Sequence, residues 1–209
     1  MKHLSTMRLI NEAKDFKVNE NFTENLLNFS DIKVLVVDNF YENPDIIRDY
    51  ILNIPATYHT PERPSYPGRQ NDMCYDLSPI GLTYQNLILK YFDDDVDVVD
   101  CLKYHPFLVN VIQNQHIDIP HVDKSEGYAS SIYFNIDEEC SGGLNFYIPK
   151  KNAGAGGAHF KKVGTVDMKY NRMLLYSQSV LHTPFIPEGD FTGDLHRINQ
   201  QLFLENVEE

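Results

Sequence analysis

The spacing of apolar residues divides the chain into an early part with two helices and a later part made of strands. The run Ile32 to Asp38 is nearly continuous in apolar residues, which predicts a buried strand. Asn43-Pro44 and Ser78-Pro79 each favour a helix start, because proline fits the first turn of a helix. The predicted apolar faces of these helices are Ile46, Ile47, Tyr50 and Ile51 for the first, and Leu82, Leu87, Ile88 and Tyr91 for the second.

From residue 96 onward the pattern changes to period two or to short apolar runs separated by turn residues. Such segments are typical of strands. They are VDVVDCLKYH, FLVNVIQNQ, YASSIYFNI, GGLNFYIP, VGTVDM, NRMLLYS and NQQLFLE. An uninterrupted succession of strands behind two helices predicts a mainly β fold with flanking helices, in the α+β class. We expect a double-stranded β-helix (jelly roll, cupin-like) with the N-terminal helices against the outer face of one sheet.

Segments without a clear period lie before, between and within these elements. Residues 1–31 are polar and predict an N-terminal arm, which leaves 32–209 as a single predicted domain, in keeping with a length of 209 residues. The segment from Pro55 to Pro79 holds five prolines and predicts a long loop without regular structure. The glycine-rich stretch 151–164 predicts a lid or the tip of a hairpin.

Charge and cysteine content narrow the classes of function. A net charge of −12 opposes contact with a phosphate backbone, so nucleic acid is not an expected partner. Three widely spaced cysteines form no CxxC motif and favour a reducing compartment. Without a signal-like or membrane-spanning apolar run, the chain is expected in the cytoplasm and not in a membrane. Its oligomeric state is left open.

His121 and Asp123 form the first candidate for chemistry. In an extended chain, residues two apart face the same way, so their side chains could share one ligand. A histidine and a carboxylate make up two thirds of the facial triad that binds non-haem Fe(II) with open coordination positions. The alternative is a surface turn in which the aspartate caps a backbone amide.

Two C-terminal residues, His182 and Arg197, complete the constellation. His182 follows an apolar segment, and Arg197 opens a strand-like segment where a rigid two-pronged cation could hold a carboxylate. Taken singly, each also fits a structural role, as a capped loop histidine for one and a surface salt bridge for the other. The neighbouring His196 would face the opposite way from Arg197 in a strand, so only one of them can point inward. A permanent cation suits a dicarboxylate better, which favours Arg197.

The order of these residues resembles the Fe(II)/2-oxoglutarate-dependent dioxygenases, in particular their prolyl 4-hydroxylase-like branch. In that family an HxD motif is followed by a strand ending in Tyr-Leu-Asn, a Gly-Gly-x-x-x-Phe segment, a distal histidine and an arginine or lysine on the last strand. The corresponding residues here, in the same order and at approximate spacing, are His121-Val122-Asp123, Tyr133-Phe134-Asn135, Gly142 to Phe146, His182 and Arg197. A closer resemblance, to a subgroup without an assigned substrate, adds Pro120, Asn171-Arg172, the segment from Ile32 to Leu52 and the loop residues 66–69.

The resemblance implies Fe(II) held by His121, Asp123 and His182, with 2-oxoglutarate and dioxygen as co-substrates. It implies further that Arg197 and Tyr133 hold the distal carboxylate of 2-oxoglutarate, and Asn199, on the same face as Arg197, is a further candidate. In that family the basic residue follows the distal histidine more closely than here. Tyr133 has an alternative role as a core tyrosine.

The expected function is hydroxylation of a peptide side chain or of a small molecule. Two other classes stay open at this point: a cupin-like module that binds a metal or ligand without turnover, and a structural jelly roll in which the HxD motif is accidental. Three other histidines, His105, His116 and His159, are not accompanied by a metal-binding or carboxylate-binding pattern in the sequence. They are expected to be structural or exposed.

Overall fold

Two larger antiparallel sheets, with two helices on one side of the six-stranded one, form the main body of the described residues. The computed structural model describes residues 16–53, 57–58, 69–70, 74–99, 101–102, 105–106, 108–112, 120–150 and 159–205. Helix α1 spans Pro44–Asn53 and helix α2 spans Ser78–Phe92. A 3-10 turn covers Asp137–Glu139. Asp93, in the left-handed conformation with φ of 58°, ends α2 and is the first of three consecutive aspartates.

The larger sheet has six strands. They are β1 (Thr23–Phe29), β2 (Ile32–Asp38), β7 (Leu108–Ile112), β8 (Tyr128–Tyr133), β11 (Met173–Ser177) and β13 (Arg197–Leu204). Across the sheet their order is β1-β2-β11-β8-β13-β7, and every neighbouring pair is antiparallel. The central strands β8 and β13 are almost wholly buried.

The smaller sheet has three strands. They are β9 (Gly143–Pro149), β10 (Phe160–Asp167) and β12 (Leu181–Phe185), in the order β10-β9-β12. An isolated antiparallel bridge between His121 and His182 adds a fourth chain segment beside β12. Along the chain, β7, the His121 segment, β8, β9, β10, β11, β12 and β13 therefore fall in the order large, small, large, small, small, large, small, large.

Four strands of two residues each complete the β structure. They are β3 (Thr57–Tyr58), β4 (Arg69–Gln70), β5 (Cys74–Tyr75) and β6 (His105–Pro106), with β3 paired to β4 and β5 to β6. The first three lie in the segment from Pro55 to Pro79, so the prediction that this segment holds no regular structure is wrong at these short pairs. Most of that segment lies outside the described residues.

The two faces of the larger sheet pack against different partners. Side chains such as Ile132, Phe134 and Leu202 join the helices in one apolar core, which confirms that the helices cover the outer face of one sheet. The alternate residues of the same strands, such as Ala129 and Tyr133, face the smaller sheet and share a second core with it. Period-two alternation along β8 and β13 thus produces two different environments on one sheet.

Both predicted helices form, but each has one residue wrongly placed on its apolar face. Ile47, Tyr50 and Ile51 of α1 are buried, whereas Ile46 is 45% exposed. In α2 the buried residues are Ile80, Gly81, Tyr84, Leu87 and Ile88, whereas Leu82 is 61% exposed. The buried face of α2 is rotated from the predicted one so that it includes Gly81. Gly81 lies against Val99, so closely that a Cβ atom on Gly81 would come within 2.9 Å of the Val99 backbone.

Ordered structure begins earlier than the sequence pattern indicates. Thr23–Phe29, which the pattern assigns to a polar arm, is the edge strand β1 paired along its length with β2. Its inner residue Phe29 stacks on Phe146 of β9, with ring centroids 5.8 Å apart. Gly164 leaves room for this ring, since a Cβ there would lie 2.3 Å from it. The arm prediction failed because asparagine and glutamate separate the few apolar residues of β1.

Three further strand assignments differ from the pattern. Val96 and Val98 are buried against the helices without forming a strand, and the Asp97 side chain instead accepts a hydrogen bond of 3.1 Å from the backbone N–H of Val99. The predicted lid at 151–164 overlaps β10, which begins at Phe160, while 151–158 lie outside the described residues. Strand β12, which contains His182, was not predicted, because Pro184 near its end resembles a loop signal.

No described helix combines the length and the apolar character needed to cross a membrane.

Candidate metal centre and carboxylate pocket

His121, Asp123 and His182 lie together at one end of the smaller sheet. One ligand atom from each falls within 4.8 Å of the others, and no other group of three or more such residues is present in the described part of the chain. Asp123 stands between the histidines, with its Oδ1 3.8 Å from Nε2 of His121 and its Oδ2 3.5 Å from Nε2 of His182. Two imidazoles and one carboxylate could hold a divalent transition metal and leave further coordination positions open.

Backbone hydrogen bonds hold the two halves of this triad against each other. The N–H of His121 donates to the carbonyl of His182 at 3.0 Å, and the N–H of His182 donates to the carbonyl of His121 at 2.9 Å. The N–H of Asp123 donates to the carbonyl of Gln178 at 3.1 Å, which fixes the other end of the motif. Residues 61 positions apart in the chain therefore meet through main-chain pairing, whatever their side chains bind.

The three side chains differ in their access to solvent. The side chain of His121 is 46% exposed, that of Asp123 is 17% exposed and that of His182 is 6% exposed. Tyr176 packs its ring edge-on to His182, with centroids 5.0 Å apart. The centre thus has a buried wall at His182 and an open side at His121.

His182 is held in the form that a metal ligand requires. Its Nδ1 lies 2.9 Å from the carbonyl of Val180, so Nδ1 carries the proton and donates, and Nε2 presents its lone pair toward Asp123. Burial lowers the pKa of His182 because it penalises the imidazolium, and this effect outweighs the opposing attraction of Asp123. A neutral imidazole with Nε2 available is the state that coordinates a metal.

Arg197 lies buried between the two sheets without a carboxylate partner among the described residues. It is 1% exposed, and its guanidinium donates to Oδ1 of Asn199 at 3.1 Å and weakly to the carbonyl of Gly143 at 3.4 Å. Its Nε is buried and has no hydrogen-bond acceptor in the described part of the structure. A buried cation without a counterion is costly, because the interior compensates poorly for lost hydration.

Two neutral donors beside Arg197 share this lack of acceptors. The hydroxyl of Tyr133 and the Nδ2 of Asn199 are buried and make no hydrogen bond with a described residue. Tyr133 and Asn199 are direct partners in the β8–β13 register, and the guanidinium lies 5.2 Å from the centroid of the Tyr133 ring. Burial raises the pKa of Tyr133 although the nearby Arg197 acts to lower it, so the phenol stays protonated as a donor. We call Arg197, Tyr133 and Asn199 the candidate carboxylate pocket, because each has a buried donor without an acceptor in the described part of the structure.

The strand register relates the carboxylate pocket to the triad. His182 pairs with Phe146, while the carbonyl that contacts Arg197 belongs to Gly143, three residues earlier in β9. Three residues of extended strand span about 10 Å. The triad and the Arg197 guanidinium therefore both adjoin β9, at positions about 10 Å apart along the strand.

The structure brings together all six residues that the sequence singles out, in these two clusters. His196 contributes to neither cluster, and its Nδ1 lies 2.9 Å from the carbonyl of Asp194. His159 is exposed, and the ring of Phe160 is its neighbour. His116 lies outside the described residues. Gly142 has a φ of 73° and forms the turn that precedes β9.

Sequence reasoning missed the residues that hold these side chains in place. Asn135 was noted only as part of a motif, and neither the carbonyl of Gln178 nor that of Val180 carries any sequence signal, because every residue type has one. The contact of Tyr176 with His182 was also missed. The sequence gives one indication that Tyr176 faces the interior: it lies two residues after Leu174 and therefore on the same face of β11.

The chain belongs to a family of unknown function, DUF6445, whose model matches residues 21–156. The matched part includes His121, Asp123 and Tyr133, whereas His182, Arg197 and Asn199 follow it in the chain. A comparison with curated proteins found no match.

Proposed function

We propose that the protein is an Fe(II)- and 2-oxoglutarate-dependent oxygenase similar to the prolyl 4-hydroxylase-like branch. The observation that carries the proposal is that two clusters adjoin strand β9: a His/Asp/His triad, and a buried arginine with neighbouring donors that lack acceptors among the described residues. Either cluster by itself would also be compatible with a purely structural role. Together they match the two ends of a ligand that chelates a metal and carries a second carboxylate.

The topology supports a double-stranded β-helix as the fold of this oxygenase. Consecutive segments alternate between the sheets, with β9 and β10 as the only consecutive pair in the same sheet from β7 to β13 among the described strands. The central order β7-β13-β8-β11 faces the order His121 segment, β12, β9, β10. Two four-stranded antiparallel layers connected in this way form a jelly roll. Helices α1 and α2 and strands β1 and β2 extend and cover the larger layer.

The donor set fits Fe(II) as the metal. Two neutral imidazoles and one carboxylate on one side of the ion are the ligands that non-haem Fe(II) oxygenases use, and they leave positions for a bidentate co-substrate and for dioxygen. His121 and Asp123 come from one extended segment and His182 from β12, so main-chain pairing fixes the triad before any ion binds. The hydrogen bond from Nδ1 of His182 orients the buried ligand.

The carboxylate pocket fits the distal carboxylate of 2-oxoglutarate. A carboxylate placed against Arg197 would supply the buried cation with a counterion and would accept hydrogen bonds from the donors of Tyr133 and Asn199. Charge-assisted hydrogen bonds of this kind are the strong ones, and a planar guanidinium suits a carboxylate. The cost of burying these groups in the free protein then becomes affinity for the ligand.

When bound, Fe(II) and 2-oxoglutarate would supply the activation of dioxygen, with release of succinate and carbon dioxide and transfer of one oxygen atom to the substrate. The chain's own residues orient the co-substrate from Arg197, hold the ligand imidazole of His182 neutral, and exclude water with the ring of Tyr176. The open side at His121 and Val122, which are exposed, would admit the substrate.

The proposed substrate is a peptide side chain or a small molecule. A net charge of −12 opposes the approach of nucleic acid, and the described helices include none suited to a membrane. The cytoplasm is the proposed location, in keeping with three widely spaced cysteines that form no CxxC motif.

The test is an anaerobic titration of the full chain, first with Fe(II) and then with 2-oxoglutarate. A weak visible charge-transfer band that grows with 2-oxoglutarate is the expected result. His121→Ala should lose stoichiometric Fe(II) and the band, and it should keep the fold because this side chain is 46% exposed. His159→Ala, an exposed histidine outside the triad, is the matched control and should behave as the unaltered protein.

Other outcomes would assign the protein to a different class. Binding of metal without the band would indicate a cupin-like binding module, and absence of metal binding would leave a structural jelly roll. Retention of stoichiometric iron in His121→Ala would overturn the triad. Succinate release stimulated by peptides or amino acids, and not by methylated oligonucleotides, would support the substrate class.

A further inference from the structure

Asn135 occupies a special place at the end of the β8–β13 pairing. The ladder between these strands reaches Asn199 opposite Tyr133, and one more bond runs from the N–H of Phe134 to the carbonyl of Ile198 at 3.0 Å. Beyond that point β8 has ended, so the next backbone groups of the 196–198 segment on this side have no strand to pair with. Arg197 lies in this segment, one residue from the last bond.

The side chain of Asn135 takes over where the strand ends. Its Oδ1 accepts a hydrogen bond from the N–H of Ile198 at 2.7 Å, and its Nδ2 donates to the carbonyl of His196 at 2.7 Å. Asn135 is fully buried, so neither bond competes with water. The two bonds hold the backbone on both sides of Arg197.

A second layer of contacts holds Asn135 itself. Its Nδ2 also lies 3.3 Å from Oε2 of Glu139 in the 3-10 turn. The Nη2 of Arg48, in α1, donates to both carboxylate oxygens of Glu139, at 3.0 and 3.1 Å. The side chains of Arg48 and Glu139 are only 19% and 24% exposed, so this pair is better shielded than a surface ion pair. A series of hydrogen bonds thus connects helix α1 to the backbone on both sides of Arg197.

We infer that Asn135, oriented by Glu139 and Arg48, is a positioning residue that sets the direction of the Arg197 guanidinium in the carboxylate pocket. The inference rests on the proposed function for the identity of the ligand, but the contacts among Asn135, Glu139 and Arg48 do not depend on that ligand. A guanidinium held by few side-chain contacts depends on its backbone for direction, since its own bonds are one to Asn199 and a weak one to Gly143. The inference also assigns a role to Glu139: paired with Arg48, its carboxylate orients Asn135 instead of occupying the pocket.

The first measurement requires no ligand. In the ¹H–¹⁵N spectrum of the full chain, the buried Nε–H of Arg197 should give a protected arginine side-chain signal, assigned by its disappearance in Arg197→Lys. Asn135→Ala should broaden or shift this signal. Tyr84→Phe, which removes one buried side-chain hydrogen bond on the opposite face of the sheet, should leave it unchanged. An unchanged Arg197 signal in Asn135→Ala would overturn the inference.

The second measurement uses 2-oxoglutarate with anaerobic Fe(II)-loaded protein. Asn135→Ala should weaken 2-oxoglutarate binding about 10-fold while Fe(II) binding stays the same, because one or two buried hydrogen bonds act only through Arg197. In an Arg197→Met background the same change should have no further effect. Equal losses in both backgrounds would mean that Asn135 is merely structural, and would contradict the inference.

A second variant, and a comparison of the two measurements, separate failure of the inference from failure of the proposed function. If Asn135→Ala does not fold, Glu139→Gln keeps Asn135 and removes the charge that pairs with Arg48, and it should give the same changes at smaller size. If the unaltered protein binds no 2-oxoglutarate while Asn135→Ala still perturbs the Arg197 signal, the proposed function fails and the positioning role stands.

Discussion

The two faces of strands β8 and β13 differ in how far their buried polar groups are paired within the protein. On the face toward the helices, the hydroxyl of Tyr84 shares a hydrogen bond of 2.7 Å with Ser130, and that of Tyr41 donates to Gln200 at 3.0 Å. On the face toward the smaller sheet, the hydroxyl of Tyr133 has no partner among the described residues, and donors of Arg197 and Asn199 share this state.

The difference separates stability from binding within a single sheet. A buried polar group that meets its partner inside the protein contributes to folding, whereas one without a partner costs free energy until something supplies it. Apart from Nε2 of Gln200, the described polar groups named on the helix face are satisfied internally. The face toward the smaller sheet leaves donors of Tyr133, Arg197 and Asn199 without a described acceptor, although Ser131 there donates to Gln201 at 3.0 Å. Variants on the two faces should therefore fail in different ways.

The largest effect is expected from Leu202→Ala, on the helix face of β13. Leu202 is fully buried in the core shared with the helices, and its truncation should lower the free energy of unfolding by about 2–5 kcal/mol, through lost burial and a cavity. Denaturant unfolding measures this loss. Binding of 2-oxoglutarate per folded molecule should stay the same, and a comparable loss of affinity would show that the two faces are not independent.

Arg197→Met, on the other face of the same strand, should show the reverse behaviour. Removing the cation should weaken 2-oxoglutarate binding by about 3 kcal/mol, roughly 100-fold, with Fe(II) still bound. The free energy of unfolding without ligand should be unchanged or higher, because an apolar side chain replaces a buried charge that has no counterion among the described residues. Calorimetry and denaturant unfolding on the same samples give both values. Unchanged affinity would shift attention to His196 as the carboxylate ligand.

A matched pair of tyrosine variants tests the comparison at the level of single hydroxyl groups. Tyr84→Phe leaves the Ser130 hydroxyl without its partner and should lower the free energy of unfolding by about 1 kcal/mol, without effect on 2-oxoglutarate. Tyr133→Phe removes a donor that has no partner, so stability should be kept while 2-oxoglutarate binds several-fold more weakly. If Tyr133→Phe proves the more destabilising of the two, Tyr133 is a core tyrosine with a satisfied hydroxyl.

The smallest effect concerns a contact outside both faces, where Arg172 binds both oxygens of Asp38 at 2.6 and 3.0 Å. This hydrogen bonding lowers the pKa of Asp38 below its ordinary value of 3.8, and Lys169 adds to the effect. Since the folded state holds the lower pKa, the contribution is fully present above the unfolded pKa and is lost as pH falls through the folded one. Asp38→Asn should therefore reduce the loss of stability below about pH 4, by less than about 1 kcal/mol. A pH dependence identical in the two proteins would contradict this.

Local patterns in the sequence were enough to predict most elements. Strands β2, β8, β9, β11 and β13 and the starts of both helices follow from periodicity and from proline positions, because these signals are written in consecutive residues. The alternation along β8 places Tyr133 in one core and Ile132 and Phe134 in the other. Strand β1 escaped prediction because its pairing with β2, and not its own composition, makes it a strand.

For the candidate site, the sequence by itself determined the residue types and their order, and the i, i+2 spacing that puts His121 beside Asp123. Only the tertiary structure decided that His182 meets them, because a backbone bridge between distant segments has no side-chain signature. Only the tertiary structure, likewise, decided that Arg197 is buried without a carboxylate partner among the described residues. It also decided that the Asn135 side chain binds the backbone on both sides of Arg197. Burial and missing partners are properties of the folded chain, since they depend on which segments pack around a group, and no run of neighbouring residues encodes them.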